Sequence, residues 1–124
     1  MLNLDTHILI FALADRLSPR EGRILKSEPW SISAIVYWEL AKLSDIGRIE
    51  LDLEEAEVRR VLSRIHVWPI DLDVCRAIRK LDFRGDPADE LIAATSLVHE
   101  VPLVTRDRRI RGSRVVPLAF KTPR

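Results

Sequence analysis

Leu2-Asn3-Leu4-Asp5-Thr6-His7 is the stretch whose reading decides the fold of this chain. It reads as a short strand that ends on an acid. Ile8, Leu9, Phe11, Ala12 and Leu13 follow at helical spacing. A strand that passes into a helix through so tight a turn is the first half of a β-α-β unit. In open α/β sheets, ligands bind beyond the carboxyl ends of the strands, and Asp5 would stand at such an end. Asp is also a favoured N-cap residue, and this stretch alone does not separate a helix cap from a functional acid.

Working outward, the 124 residues predict one domain over 1–124, long enough for a sizeable core. Hydrophobic residues make up 47% and charged residues 31%, which fits a folded globular chain and excludes a disordered one. No apolar run approaches the ~20 residues that span a bilayer, and the N-terminus shows no basic-then-apolar export signal. A single cysteine, Cys75, excludes an internal disulfide framework and suits a reducing cytosol, so a cytoplasmic protein with no membrane contact is expected. His7, His66 and His99 are too scattered for a zinc site.

The net charge of +1 hides an uneven distribution. Residues 106–124 hold seven cations (Arg106, Arg108, Arg109, Arg111, Arg114, Lys121, Arg124) and one acid, Asp107, whereas the rest of the chain carries 13 cations against 18 acids. A basic end on a mildly acidic body suggests a polyanionic partner, unless it is simply a solvated tail.

Beyond the first helix, Ser18-Pro19-Arg20-Glu21 has the form of a capping box with Pro at the first helical position. Trp30–Ser33 predicts a second strand, followed by a helix to about Ile46 that Gly47 stops. On a helical wheel Ile35, Val36, Leu40, Leu43 and Ile46 share one arc, and Glu39 falls inside it. An ionised carboxylate on an apolar face is costly unless it is paired or binds a metal. Tyr37 and Trp38 point off that arc and suggest an interface. Asp52-Leu53-Glu54-Glu55 predicts another capped start, for a helix towards Ile65. Val67–Ile70 is a third strand, which Pro69 pushes to a sheet edge, and Asp71 caps a helix reaching Leu81. Asp86-Pro87-Ala88-Asp89-Glu90 opens a helix buried nearly all round, with Asp86 as N-cap and Asp89 at the third position of a capping box. Val101–Thr105 is a fourth strand, ending at Arg106-Asp107, and Val115–Leu118 is expected to be a fifth.

Strands separated by helices run parallel through right-handed crossovers, so their carboxyl ends share one edge. Asp5, Glu39, Asp89 and Asp107 would converge there and repel one another unless a cation is bound. Oxygen donors without His or Cys favour Mg²⁺ or Mn²⁺. Such a site suits phosphodiester hydrolysis, and the basic segment after Asp107 would grip a nucleic acid backbone.

With these residues in view, the chain resembles the PIN-domain family, specifically its VapC-type toxin ribonucleases. The resemblance rests on Leu4-Asp5-Thr6-His7, Trp38-Glu39-Leu40-Ala41-Lys42 with Gly47-Arg48-Ile49-Glu50-Leu51, Asp86-Pro87-Ala88-Asp89 with Ile92-Ala93-Ala94, and Thr105-Arg106-Asp107, and it covers nearly the whole chain in order. It implies a three-layer α/β/α fold with a parallel five-stranded sheet of order 3-2-1-4-5. It implies Asp5, Glu39, Asp89 and Asp107 as catalytic metal ligands for Mg²⁺ or Mn²⁺, with Thr6, Thr105 and Asp86 in support. It also implies cleavage of an RNA substrate, in which Arg106, Arg108, Arg109 and Arg111 would bind RNA, a homodimer, and a cognate antitoxin that covers the site. Val36 stands where relatives often carry a small polar residue.

Three other readings compete. A phosphorelay receiver would want paired acids after the first strand and a Lys after the fifth, and this chain has Asp5 alone and no Lys until Lys121. A haloacid-dehalogenase-like phosphatase would want Asp-x-Asp where Asp5-Thr6-His7 stands. A PIN-like module that binds RNA or protein without cutting is opposed by the complete set of four acids.

Overall fold

The computed structural model describes residues 1–120, so Lys121 and Arg124 of the basic end lie outside the described residues. The elements follow in the order β1 (Leu2–Leu4), α1 (Thr6–Leu13), α2 (Pro19–Ser27), β2 (Trp30–Ser33), α3 (Ile35–Asp45), α4 (Ala56–Ser63), β3 (His66–Trp68), α5 (Leu72–Ala77), a 3₁₀ turn (Ile78–Lys80), α6 (Pro87–His99), β4 (Leu103–Val104) and α7 (Arg108–Arg111). The sheet has the order β3-β2-β1-β4, and every neighbouring pair is parallel. β1 is therefore internal, with Leu2 opposite Trp30 on one side and Leu4 opposite Val104 on the other.

Both faces of the sheet are covered. In β1 and β2 successive side chains point to opposite faces, yet Leu2, Asn3 and Leu4 are all buried, as are Ser31, Ile32 and Ser33. That burial pattern requires helices on both sides and gives three α/β/α layers. Asn3 faces α6, where its Nδ2 donates to the Ile92 carbonyl at 3.2 Å and to Ser96 Oγ at 2.9 Å. The leucines join Ile8, Leu9, Ile32, Val36, Leu40, Ile92, Leu103, Val104 and Ile110 in the main core. Fully burying such a side chain contributes about 1.5–3 kcal/mol relative to leaving it exposed.

Local chemistry sets the boundaries. The Ser18–Glu21 capping box forms as expected, with Glu21 N–H on Ser18 Oγ at 3.1 Å and Ser18 N–H on Glu21 Oε1 at 2.8 Å. Gly47 takes φ +75° after α3, a conformation that other residues adopt only with strain. β3 sits at the sheet edge, where Pro69 just beyond it removes no ladder bond.

Five expectations are corrected. The fifth strand shrinks to a single parallel bridge between Leu103 and Leu118, with Leu103 N–H on the Pro117 carbonyl and Ala119 N–H on Leu103. The next ladder bond toward the strand start would need an N–H from Pro117, which has none, and Val101 N–H turns instead to the Ser96 carbonyl. The sheet therefore has four strands among the described residues. Asp52 does not cap α4 but closes a local turn onto Glu54 N–H at 2.9 Å, and the helix starts four residues later. Asp86 is the N-cap residue of α6 by backbone conformation, but its side chain makes no capping bond. Asp89 takes no part in a capping box either; Glu90 receives the Gly85 N–H at 3.2 Å. Finally, the helix after Asp71 stops at Ala77 and tightens into the 3₁₀ turn before Leu81.

Candidate active site

Because all strands are parallel, Asp5 at the end of β1 and Thr105 at the end of β4 share one edge. Asp5 N–H completes the pairing on the Val104 carbonyl at 3.0 Å. The Asp5 carboxylate is 5% exposed, and each of its oxygens accepts a hydrogen bond. Its Oδ1 accepts Thr6 N–H at 2.8 Å, and its Oδ2 accepts the Thr105 hydroxyl at 2.6 Å. Thr105 Oγ in turn accepts Asp107 N–H at 3.0 Å. Asp107 is the N-cap of α7 and holds Ile110 N–H at 3.1 Å. Asp5 thus caps α1 and also stands in the site.

Glu39 reaches the same edge from α3. It is half-buried, and the Thr6 hydroxyl donates to its Oε1. Asp89 enters from the first turn of α6. Burial pushes all three carboxyls above their ordinary range. For Asp5, desolvation outweighs the opposing hydrogen bonds from Thr105 and Thr6. For Glu39 desolvation leads again, and the charges of Asp5 and Asp86 add to it. Asp89 is pushed up to about 6 by desolvation and then by the charges of Asp5, Asp107, Glu39 and Asp86.

The four acids expected from sequence therefore feel one another, and Asp86 joins them electrostatically from the α6 N-cap. No ion pair between described residues falls on any of the four. Among the described residues no three acidic, histidine or cysteine side chains already form a group that could hold a metal ion; what joins the acids is that their charges act on one another. An all-carboxylate donor set that repels itself, with no ion pair on any member among the described residues, is of the chemistry that suits a hard divalent cation.

His7 is a site neighbour that the sequence reading did not single out. It is exposed, and its charge favours the ionised forms of both Asp5 and Glu39. Its position two residues after Asp5 on α1 was the available signal. From His7 an open groove of about 660 Å³ runs along Phe11 and Arg16 to Arg48, Ile49 and Leu51.

The matching family model is the PIN domain, over residues 3–113. The chain is also 33% identical over 118 residues, 90% of either chain, to ribonuclease VapC22 of Mycobacterium tuberculosis. The chain is a PIN domain of the VapC type. Its fold agrees with that of a toxin–antitoxin complex from Klebsiella pneumoniae, at a TM-score of 0.72 and 22% identity, covering 98% of this chain and all of the other. It agrees equally with VapBC2 from Rickettsia felis bound to a DNA fragment from its promoter, at 0.71 and 19%, covering 99% and 100%.

In this PIN domain the four arginines expected to bind RNA divide. Arg106 turns away from the acids. Its Nε and Nη2 donate to Glu21 at 2.8 and 2.7 Å, Nη2 also reaches the Arg16 carbonyl at 3.3 Å, and the guanidinium lies 4.0 Å from the Phe11 ring centroid. Arg109 Nη1 donates to the Arg84 carbonyl, beside Gly85 and Asp89. Arg108 is exposed and makes no side-chain hydrogen bond among the described residues, and Arg111 is half-buried on α7. Glu21, which sequence suggested only as a capping residue, is thus also the counter-ion of Arg106, and its carboxyl is held down at about 2 chiefly by that guanidinium.

Proposed function

We propose that this PIN domain is a divalent-metal-dependent endoribonuclease, the toxin of a toxin–antitoxin pair. The observation that supports the reading is that Asp5, Glu39, Asp89 and Asp107, from the end of β1, α3, α6 and the end of β4, act on one another electrostatically, with no ion pair on any of them among the described residues. These four would hold Mg²⁺ or Mn²⁺, which when bound supplies charge neutralisation at the scissile phosphate and a more acidic attacking water.

The protein's own part is preorganisation. Thr6 N–H and the Thr105 hydroxyl fix both oxygens of Asp5, so its carboxylate cannot rotate freely. The Thr6 hydroxyl aims Glu39 from the same turn. Asp107 is tied through its own N–H to Thr105, and through its carboxylate to the start of α7. Asp89, whose carboxyl is pushed up to about 6, is ionised above that pH and adds its charge to the set there. Arg108 and Arg111 on α7 lie just after Asp107 and would meet the RNA backbone as it enters.

The groove from His7 to Leu51 starts two residues from Asp5, so an antitoxin segment laid along it would reach the border of the acidic site. Exposed Tyr37 and Trp38 on α3 supply the surface for a homodimer. No helix of the described residues is long and apolar enough to cross a membrane, and a cytoplasmic site of action suits an RNA substrate. The test is to incubate the purified chain with single-stranded RNA and Mg²⁺ or Mn²⁺. Internal cleavage that stops with EDTA and returns on adding excess metal is expected, whereas undiminished cutting in EDTA would overturn the metal-dependent reading.

A further inference from the structure

We propose that Arg106 is a positioning residue: clamped by Glu21, it fixes the Thr105–Asp107 end of β4 against α1 and α2 and so sets the geometry of the acidic site. This rests on the ribonuclease reading above.

Arg106 stands between two residues of that site. Thr105 directs its hydroxyl to Asp5, and Asp107 returns its N–H to Thr105. Along so extended a segment alternate side chains leave on opposite sides, and Arg106 accordingly points away, to α2. There the planar fork of the guanidinium matches the Glu21 carboxylate in two parallel bonds, a geometry that an ammonium group cannot reproduce. Glu21 cannot swing with it, because Ser18 N–H holds Oε1 at 2.8 Å and α2 buries the side chain. The Arg16 carbonyl and the Phe11 ring, both from the α1 side, close the remaining approaches. Three elements therefore meet on one guanidinium, which leaves few donors for an RNA phosphate.

The other side of Asp107 is tied as well. Arg109 donates to the Arg84 carbonyl, at the turn that leads into α6 and Asp89. Asp107 is held between two arginine tethers, one to α2 and one to the α6 entrance. Supporting contacts of this kind orient metal ligands, and their loss commonly costs about 10–100-fold in metal affinity or activity.

The experiment compares Arg106→Lys and Glu21→Gln with the wild type at a temperature where circular dichroism shows all three folded. It measures Mn²⁺ affinity by calorimetry, RNA affinity in EDTA at low salt, and kcat and KM separately. Arg106→Lys keeps the charge and loses the fork; Glu21→Gln removes the counter-ion from a residue that does not face the site. Both are expected to lower Mn²⁺ affinity and kcat by about tenfold, with metal-free RNA affinity within about twofold of wild type. Full kcat and Mn²⁺ affinity in Arg106→Lys would show that only charge matters and would overturn the proposal. So would a lowered melting temperature with Mn²⁺ affinity and kcat unchanged, which is the mark of a purely structural brace. If the wild type binds Mn²⁺ but cuts no RNA, the ribonuclease reading fails, while a parallel loss of Mn²⁺ affinity in both variants still supports the clamp.

Discussion

The Thr105 hydroxyl donates to Asp5 Oδ2 across 2.6 Å, joining the ends of β1 and β4 although the two residues are 100 positions apart. Thr105 Oγ1 itself accepts Asp107 N–H, so one hydroxyl orients two of the four acids. Replacing Thr105 by Val keeps the shape and removes both bonds. A loss of about 1 kcal/mol in unfolding free energy is expected, with cleavage reduced about tenfold because the acids lose their orientation. Denaturant titration and initial rates check the two effects separately; unchanged rates would remove Thr105 from the site.

The acids predict an inverted pH dependence of stability in EDTA. Asp89 has a folded-state value of about 6, above its unfolded value near 3.8, and Asp5 and Glu39 are shifted in the same direction. The folded state therefore binds more protons than the unfolded state across this range, and stability falls as pH rises from about 4.5 to 7. Glu21 acts oppositely, because its value of about 2 lies below the unfolded one; its contribution is lost only as pH drops below about 4.5. Asp89→Asn should flatten the fall and stabilise the metal-free protein at pH 7.5 by roughly 1 kcal/mol, once screening by water at this half-exposed position is allowed for. Added Mn²⁺ should raise wild-type stability at pH 7.5 through binding to the folded state alone. Melting curves across pH test this, and a wild type that gains stability from pH 4.5 to 7 in EDTA would contradict it.

Much of this was legible in the sequence, for physical reasons that differ from place to place. The β1–α1 turn, the Ser18–Glu21 capping box and the edge position of β3 follow from local chemistry that tertiary packing did not override. The odd carboxylate of Glu39 on an apolar arc marks a position that needs a polar partner, and the structure supplies the Thr6 hydroxyl at the start of α1. Val115, Val116 and Leu118 suggest a fifth strand, but Pro117 between them lacks the N–H that would extend its ladder beyond one bridge. Spacing makes caps of Asp86 and Asp89, since sequence alone does not reveal that Glu90 takes the Gly85 amide. Sequence groups Arg106 with its basic neighbours because its partner, Glu21, lies 85 positions away.

Arg108 separates nucleic acid contact from structure. It is exposed at the start of α7 and makes no side-chain hydrogen bond among the described residues. Arg108→Ala should leave the melting temperature unchanged and reduce the slope of log Kd for RNA against log salt by about 1. An unaltered salt slope would assign this surface to another partner.

Trp38 is 60% exposed on α3, one residue before Glu39. Substituting so exposed a side chain costs within about 0.5 kcal/mol unless it lies in an interface. Trp38→Ala should therefore keep its fold and elute as a smaller species than wild type at equal concentration. An unchanged elution volume would place the dimer contact elsewhere.

The most direct test of the acidic site is cleavage of one single-stranded RNA by wild type and Asp5→Asn, purified in parallel and assayed in Mn²⁺. Asp5→Asn preserves the Thr6 contact and most of the packing while removing the charge at the end of β1. Internal cleavage by the wild type is expected, with a loss of at least about 100-fold in the variant. Equal cutting by the two proteins would contradict it.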